Sequence, residues 1–352
     1  MTGYLILENG EIFEGERIGY NADAVMELVL NDENFGYIET ITDPSYYGQG
    51  IVFSYPLIGN YGIVPEYCES DGIWVQGIFI QEIAEFESNV PSKINFDKYL
   101  RDLKIPGLCG IDVKKIESII KSEGTLNAYL TSTINNIDTI MEKIKNYRIE
   151  NPVKQVTSKQ IRVYGRGKEK RIALLDYGFK HSIVNSLLKR NVEIHIFPAN
   201  TSAEVILNSD PDGIVISNGP GNPEKFENLN SVKKLLDKDI PILGIGLGHQ
   251  VIAISSGFKT KKLKYGHRGI NYTVKDLRRN RIYVTSQNHQ YVVDEDTVKP
   301  NVADILYRNL CDNTIAGLVY KNKNVLTVQF EPEACPGPLD TNFIFDNFIK
   351  KI

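Results

Sequence analysis

Cysteine, histidine and tryptophan are scarce in this chain of 352 residues: four, five and one, respectively. Cys68, Cys109, Cys311 and Cys335 lie far apart and match no metal-ligand or redox spacing. Free thiols in a reducing cytoplasm are therefore expected, with no metal site. No apolar run approaches the ~20 residues that span a bilayer. The opening Met1-Thr2-Gly3-Tyr4-Leu5 lacks the basic stretch that begins a secretory signal, so cytoplasmic localisation is expected. Positive charge is not in excess. The net charge of −4 gives no footprint for nucleic acid or an anionic membrane, and neither is expected as a partner. A Gly-x-x-x-x-Gly-Lys phosphate loop is missing, so no nucleotide cofactor is expected on this chain. Gly244-x-Gly246-x-Gly248 is not a dinucleotide fingerprint either. Position 249 is His, and the turn follows a fourth strand rather than a first.

What is present is an ordinary globular composition, 42% hydrophobic and 24% charged, long enough for about two domains. The first ~150 residues mix short strands and turns. Tyr4–Leu7 and Ile12–Phe13 flank Asn9-Gly10, a hairpin signal. Ile73–Ile80 reads as a strand, and helices are expected over 96–103, 112–123 (stopped by Gly124) and 136–147. Residues 151–170, with Lys154, Lys159, Arg162, Arg166, Lys168 and Lys170 among Pro, Gly and polar residues, read as a linker or a domain-crossing strand. From 171 to 352 strands alternate with helices. Strands are expected at 172–175, 192–197, 213–216, 241–245 and 325–328, with helices at 180–189, 203–207, 231–236 and 250–255. This pattern predicts an α/β, doubly wound parallel sheet. In such sheets chemistry sits at the carboxyl ends of the strands.

Four clusters stand after expected strands. Ser217-Asn218-Gly219-Pro220-Gly221 can present backbone amides to a ligand. Gly244-Ile245-Gly246-Leu247-Gly248-His249-Gln250 has the strand, sharp turn and helix of a nucleophile elbow, but its apex, Gly246, has no side chain. Gln329-Phe330-Glu331-Pro332-Glu333 places two carboxylates around a proline. Ser286-Gln287-Asn288-His289-Gln290-Tyr291 follows an expected strand over 282–285.

In this order the four clusters resemble the class I (triad-type) glutamine amidotransferases. Residues 4–15, Thr42-Asp43-Pro44-Ser45-Tyr46, Ile58-Gly59-Asn60-Tyr61-Gly62, Gly110-Ile111-Asp112 and Lys121–Thr125 narrow the resemblance to carbamoyl-phosphate synthase small subunits. Asp176-Tyr177-Gly178-Phe179-Lys180, Tyr265-Gly266-His267-Arg268-Gly269, Gln287-Asn288-His289 and Glu333–Pro338 extend it over nearly the whole chain. The resemblance implies an N-terminal α/β small-subunit domain over 1–150 and a C-terminal flavodoxin-like amidotransferase domain over 171–352. It implies a large-subunit partner that carries ATP and Mg and makes carbamoyl phosphate, with glutamine or ammonia as nitrogen source. A glutamine pocket would use Ser45, Gly219, Gly221, Leu247, Gln250, Asn288, Gln290 and Tyr291, with oxyanion amides from Gly219 and Leu247.

The chain departs from that family where the chemistry is done. The nucleophilic Cys aligns with Gly246 and the catalytic His with Glu331, while Glu333 keeps the acidic position. Further departures are Phe330, Gln290, Ile270, Tyr272 and Asp32–Phe35. Without thiolate and imidazole, glutamine hydrolysis is expected to be lost or strongly impaired. Two alternatives remain open from the residues. One is a non-hydrolytic glutamine sensor or regulatory pseudoenzyme. The other is a rebuilt glutaminase in which Glu331 and Glu333, or Cys335, activate the attack. His249, His267 and His289 read as hydrogen-bonded structural histidines, and bulky Phe330 and Gln290 argue against an unaltered glutamine pocket.

Overall fold

The computed structural model describes residues 1–86, 88 and 94–352. Met1–Glu150 and Asn151–Ile352 each form a compact unit.

In the first unit the Asn9-Gly10 turn joins β1 (Thr2–Leu7) to β2 (Ile12–Gly19) as an antiparallel hairpin. β3 (Ala24–Asn31), α1 (Tyr37–Thr42), β4 (Gln49–Phe53) and the two-residue β5 (Leu57–Ile58) follow. Next come β6 (Gly77–Phe79), β7 (Glu82–Ile83), α2 (Phe96–Asp102) and β8 (Pro106–Cys109). The unit ends with α3 (Val113–Glu123), β9 (Leu126–Thr131) and α4 (Ile137–Asn146). Strands close a barrel in the order β1-β2-β8-β6-β4-β3-β9. The expected strand over 73–80 shrinks to the three residues of β6, which pair with β4 and β8. The helix boundaries follow their caps. The Asp112 side chain accepts from Lys115 N at 2.9 Å to start α3, and Gly124 (φ 101°) ends it. One apolar cluster joins Leu5, Leu28, Val52 and Phe79 to Ile116 and Ile120 of α3. A second joins Val29, Ile51 and Ile78 to Ile38 of α1 and Phe96 of α2. Strand residues of alternating parity thus serve opposite faces.

The second unit begins with α5 (Pro152–Val156) and β10 (Arg162–Tyr164). This corrects the linker reading of 151–170. Arg162, Val163 and Tyr164 pair antiparallel with Ile196, His195 and Ile194, and Thr157 and Ser158 bond to Asp176. Backbone hydrogen bonding fixes the segment despite its charged composition.

β11 (Arg171–Asp176), α6 (His181–Leu188), β12 (Glu193–Pro198), α7 (Ala203–Leu207), β13 (Gly213–Ile216), α8 (Leu229–Leu236), β14 (Ile242–Ile245) and α9 (Leu247–Ser255) alternate as expected. Two long strands, β15 (Thr260–Asp276) and β16 (Arg281–Val293), come next, then β17 (Ala303–Asn309), β18 (Ile315–Tyr320), β19 (Val325–Val328) and α10 (Phe343–Ile349).

The sheet order is β10-β12-β11-β13-β14-β19-β18-β17-β15-β16. Its central five strands, β12-β11-β13-β14-β19, are parallel in the flavodoxin-like order 2-1-3-4-5. The flanks are antiparallel, so the sheet is mixed rather than purely parallel. Apolar residues cover both faces of the parallel core. Leu175, Ile214 and Ile216 pack with α7, α8 and α9, while Leu174, Val215, Leu243 and Ile245 pack with α6 and α10.

Candidate functional site

Three of the four expected turns lie together, at the carboxyl ends of β13, β14 and β19. The fourth is corrected. Residues 286–291 are part of β16 and not a turn after it, and 265–269 lie inside β15. His267 faces His289 and Arg268 faces Asn288 across that pair. Polar side chains hydrogen-bonded to one another let a strand continue where composition suggests a loop.

The elbow is intact in backbone. Gly246 has φ 56° and ψ −110° between β14 and α9, and its N–H donates to Val328 O at 2.9 Å. Gly248 N donates to Ser217 O at 3.0 Å, and a Cβ there would stand 2.2 Å from Ile216 O. Glycine at 248 is what lets α9 close against β13. At Gly246 the space is tight but not shut: a Cβ would meet Asn218 Cβ at 3.1 Å and Asn218 Cα at 3.4 Å. The strand, sharp turn and helix of the elbow are present, with glycine at the apex.

Around the elbow, Leu247 is buried in the core. Gln250 donates to Tyr291 O at 2.6 Å and to Gln329 Oε1 at 3.0 Å, which ties α9, β16 and the exit of β19 together. Gly219 lies against Tyr177 O, and Gly221 (φ 100°) against Pro152 of α5. Asn288 and Tyr291 are half-buried and Gln290 is buried on β16. Ser45 belongs to the first unit, in the short turn 44–46, where its N–H donates to Asp43 Oδ1 at 2.8 Å.

Phe330 is a core residue. Its ring is 0% exposed and meets Tyr307 edge-on at 5.3 Å, within the core on the α6/α10 face. Its neighbour Gln329 turns to Gln250 instead.

The carboxylates meet a cation that sequence reasoning missed. Lys180 Nζ lies 2.6 Å from Glu331 Oε2, 3.1 Å from Glu333 Oε1 and 2.8 Å from Cys335 O. The side chains of Lys180, Glu331 and Glu333 are 1%, 7% and 0% exposed. The turn after β11 puts the lysine there. Asp176 Oδ1 accepts from Gly178 N and Phe179 N, and its Oδ2 accepts from Ser158 N and Oγ, both at 2.6 Å. The segment expected to be a linker therefore helps to position the site. The available signal was a lysine closing Asp176–Lys180 at the carboxyl end of the first parallel strand.

A shared proton between Glu331 and Glu333 would need two like charges facing each other unbalanced. Lys180 supplies an opposite charge to both carboxylates, and the three side chains form a buried ion cluster. The half-buried Cys335 Sγ turns to Glu333 O at 3.7 Å. Among the described residues the four cysteines form no disulfide.

The histidines are tied into structure. His267 Nε2 is 3.0 Å from Asp312 Oδ2, and Gln287 Oε1 bridges His267 Nδ1 (3.2 Å) and His289 Nε2 (2.9 Å). Burial pushes the Asp312 carboxyl up, but hydrogen bonds from His267 and Thr314 outweigh it and hold the group at about 2. Burial also drives His289 well below the usual histidine value, and the neighbouring His267 adds to this.

His249 shares a 2.8 Å hydrogen bond with Thr327 Oγ1, and complete burial lowers its pKa to about 3. A histidine lowered in the folded state leaves the unfolded chain binding more protons below pH 6.5. Stability should fall as pH drops from about 6.5 toward 3. At pH 5 the loss is about 2 kcal/mol, on the order of 1.4 kcal/mol per unit. Urea midpoints at pH 7 and 5 check this: a His249→Gln variant whose pH slope matches that of the original chain excludes His249 as its source.

Residues 5–130 match the family described as carbamoyl-phosphate synthase small chain, CPSase domain, and residues 173–351 match glutamine amidotransferase class-I. A carbamoyl phosphate synthase small chain from Clostridium perfringens (strain 13 / Type A) is 41% identical over 352 residues, covering 99% of each chain. One from Listeria monocytogenes serotype 4b is 42% identical over 348 residues, 98% of this chain and 95% of the relative. A carbamoyl phosphate synthase pyrimidine-specific small chain from Bacillus subtilis (strain 168) is 41% identical over 354 residues, 100% of this chain and 96% of the relative. With both halves matched in order and full-length relatives above 40% identity, the chain belongs to the carbamoyl-phosphate synthase small chain family.

Proposed function

We propose that the chain pairs with a carbamoyl-phosphate synthase large subunit, and that the complex draws its nitrogen from free ammonia because glutamine is no longer hydrolysed here. One observation carries the reading: the apex of the elbow is Gly246, with no atom to attack an amide carbon. The ion cluster supports it. The position that would hold the general base is a carboxylate bonded to a buried lysine. ATP and Mg would belong to the large subunit, and this chain would act as scaffold or regulator. Retained glutamine binding would make the chain a sensor, and the first-unit fold is compatible with either role.

The test is carbamoyl-phosphate synthesis by the chain with its cognate large subunit, with glutamine or ammonium as donor. Synthesis is expected with ammonium and near background with glutamine. Turnover with glutamine that is lost in Glu331→Ala would replace this reading with a rebuilt glutaminase. Calorimetry with glutamine then separates sensor from scaffold: heat of binding without turnover marks the sensor.

A further inference from the structure

We propose that Glu333, beside Lys180 and Glu331, is a binding site for a free ammonium ion. The proposal rests on the reading that the complex runs on ammonia, and it names where this chain would take that ion up.

Glu333 is the observation that points to a ligand. Its side chain is 0% exposed, yet no donor hydrogen-bonds to either carboxylate oxygen among the described residues. A buried carboxylate without donors costs several kcal/mol. Its ionic contact, Lys180 Nζ at 3.1 Å, brings charge without hydrogen-bond geometry; the lysine hydrogen-bonds Glu331 Oε2 and Cys335 O. Glu333 is left with acceptor capacity that no described residue fills by hydrogen bonding.

The same corner shows which donor it suits. Around Lys180 it already surrounds a primary ammonium with two carboxylates and a carbonyl. A free ammonium ion is that head group without the carbon tail, and it carries four N–H donors. A divalent metal is the poorer fit, since among the described residues no three His, Cys, Asp or Glu side chains gather as ligands.

The test uses the complex with its large subunit. Glu333→Gln keeps the shape and removes the charge. The KM for ammonium should rise roughly tenfold, with the effect on kcat smaller than that on KM. A second measurement needs no variant. The thermal midpoint of the original chain should rise in ammonium chloride relative to tetramethylammonium chloride at equal ionic strength. An equal midpoint in both salts, or an unaltered KM in Glu333→Gln, overturns the site. Synthesis from glutamine would instead overturn the parent reading, and the salt comparison would still decide the site.

Discussion

Replacing Gly246 by cysteine and Glu331 by histidine together should return measurable glutamine hydrolysis, while either change alone should not. The elbow supports the first half. Its backbone already holds φ 56° and ψ −110°, and a Cβ at Gly246 meets nothing closer than Asn218 Cβ at 3.1 Å. A cysteine in that region carries about 1–3 kcal/mol of strain, to be read as a lower thermal midpoint in Gly246→Cys. The second half follows from what a thiol needs. Without a base it remains largely protonated near pH 7, and a positioned general base contributes on the order of 10²–10⁴-fold. Histidine at 331 leaves Lys180 its contacts with Glu333 and Cys335 O, so the lysine keeps a counter-charge. The expected order of glutamate release is double variant far above Gly246→Cys, with Glu331→His at background. A double variant no faster than the original chain would show that the pocket, and not only its reactive groups, has been lost.

Much of the second unit is legible in the sequence because its signals are local. The expected ranges 203–207, 213–216 and 325–328 are the observed α7, β13 and β19, since turn residues bound each apolar run on both sides. Reading the carboxyl ends of strands then gathers residues 217–221, 244–250 and 329–333 into one region. What escapes is non-local. The closed barrel depends on which short strands pair, and β6 has only three residues to declare itself. Ser286–Tyr291 is polar enough to read as a loop, and only the pairing with β15 makes it strand. Lys180 meets Glu331 across 151 positions of chain, a separation that no periodicity reports. The bulk of Phe330 is plain in the sequence, but the face to which it turns is not. Glu331 itself reads as a lost histidine, while its pairing with a lysine needed the fold.

Removing that lysine should be the most damaging single change in the second unit. Lys180→Met keeps a long apolar stem and deletes the charge that Glu331 and Glu333 share. Breaking a buried ion pair by removing one partner typically costs about 3–5 kcal/mol, because the charge left behind remains desolvated. That is a large part of the 5–15 kcal/mol by which domains are usually stable. The pH dependence separates this account from simple loss of packing. With Lys180 gone, burial and mutual repulsion both raise the carboxyl pKa values in the folded state above their unfolded values. A raised folded pKa gives stability that is present at low pH and lost as pH rises through it. The gap between Lys180→Met and the original chain should therefore narrow as pH falls from 7 toward 5, the range in which His249 weakens both proteins alike. Adding Glu331→Gln to Lys180→Met should recover part of the loss at pH 7, since one of the two stranded charges is then gone. Urea midpoints of the three proteins at two pH values measure both effects. A gap that is constant with pH and untouched by Glu331→Gln would mean that Lys180 contributes only its aliphatic packing, and the ion cluster would then have no part in holding the β11 and β19 turns together.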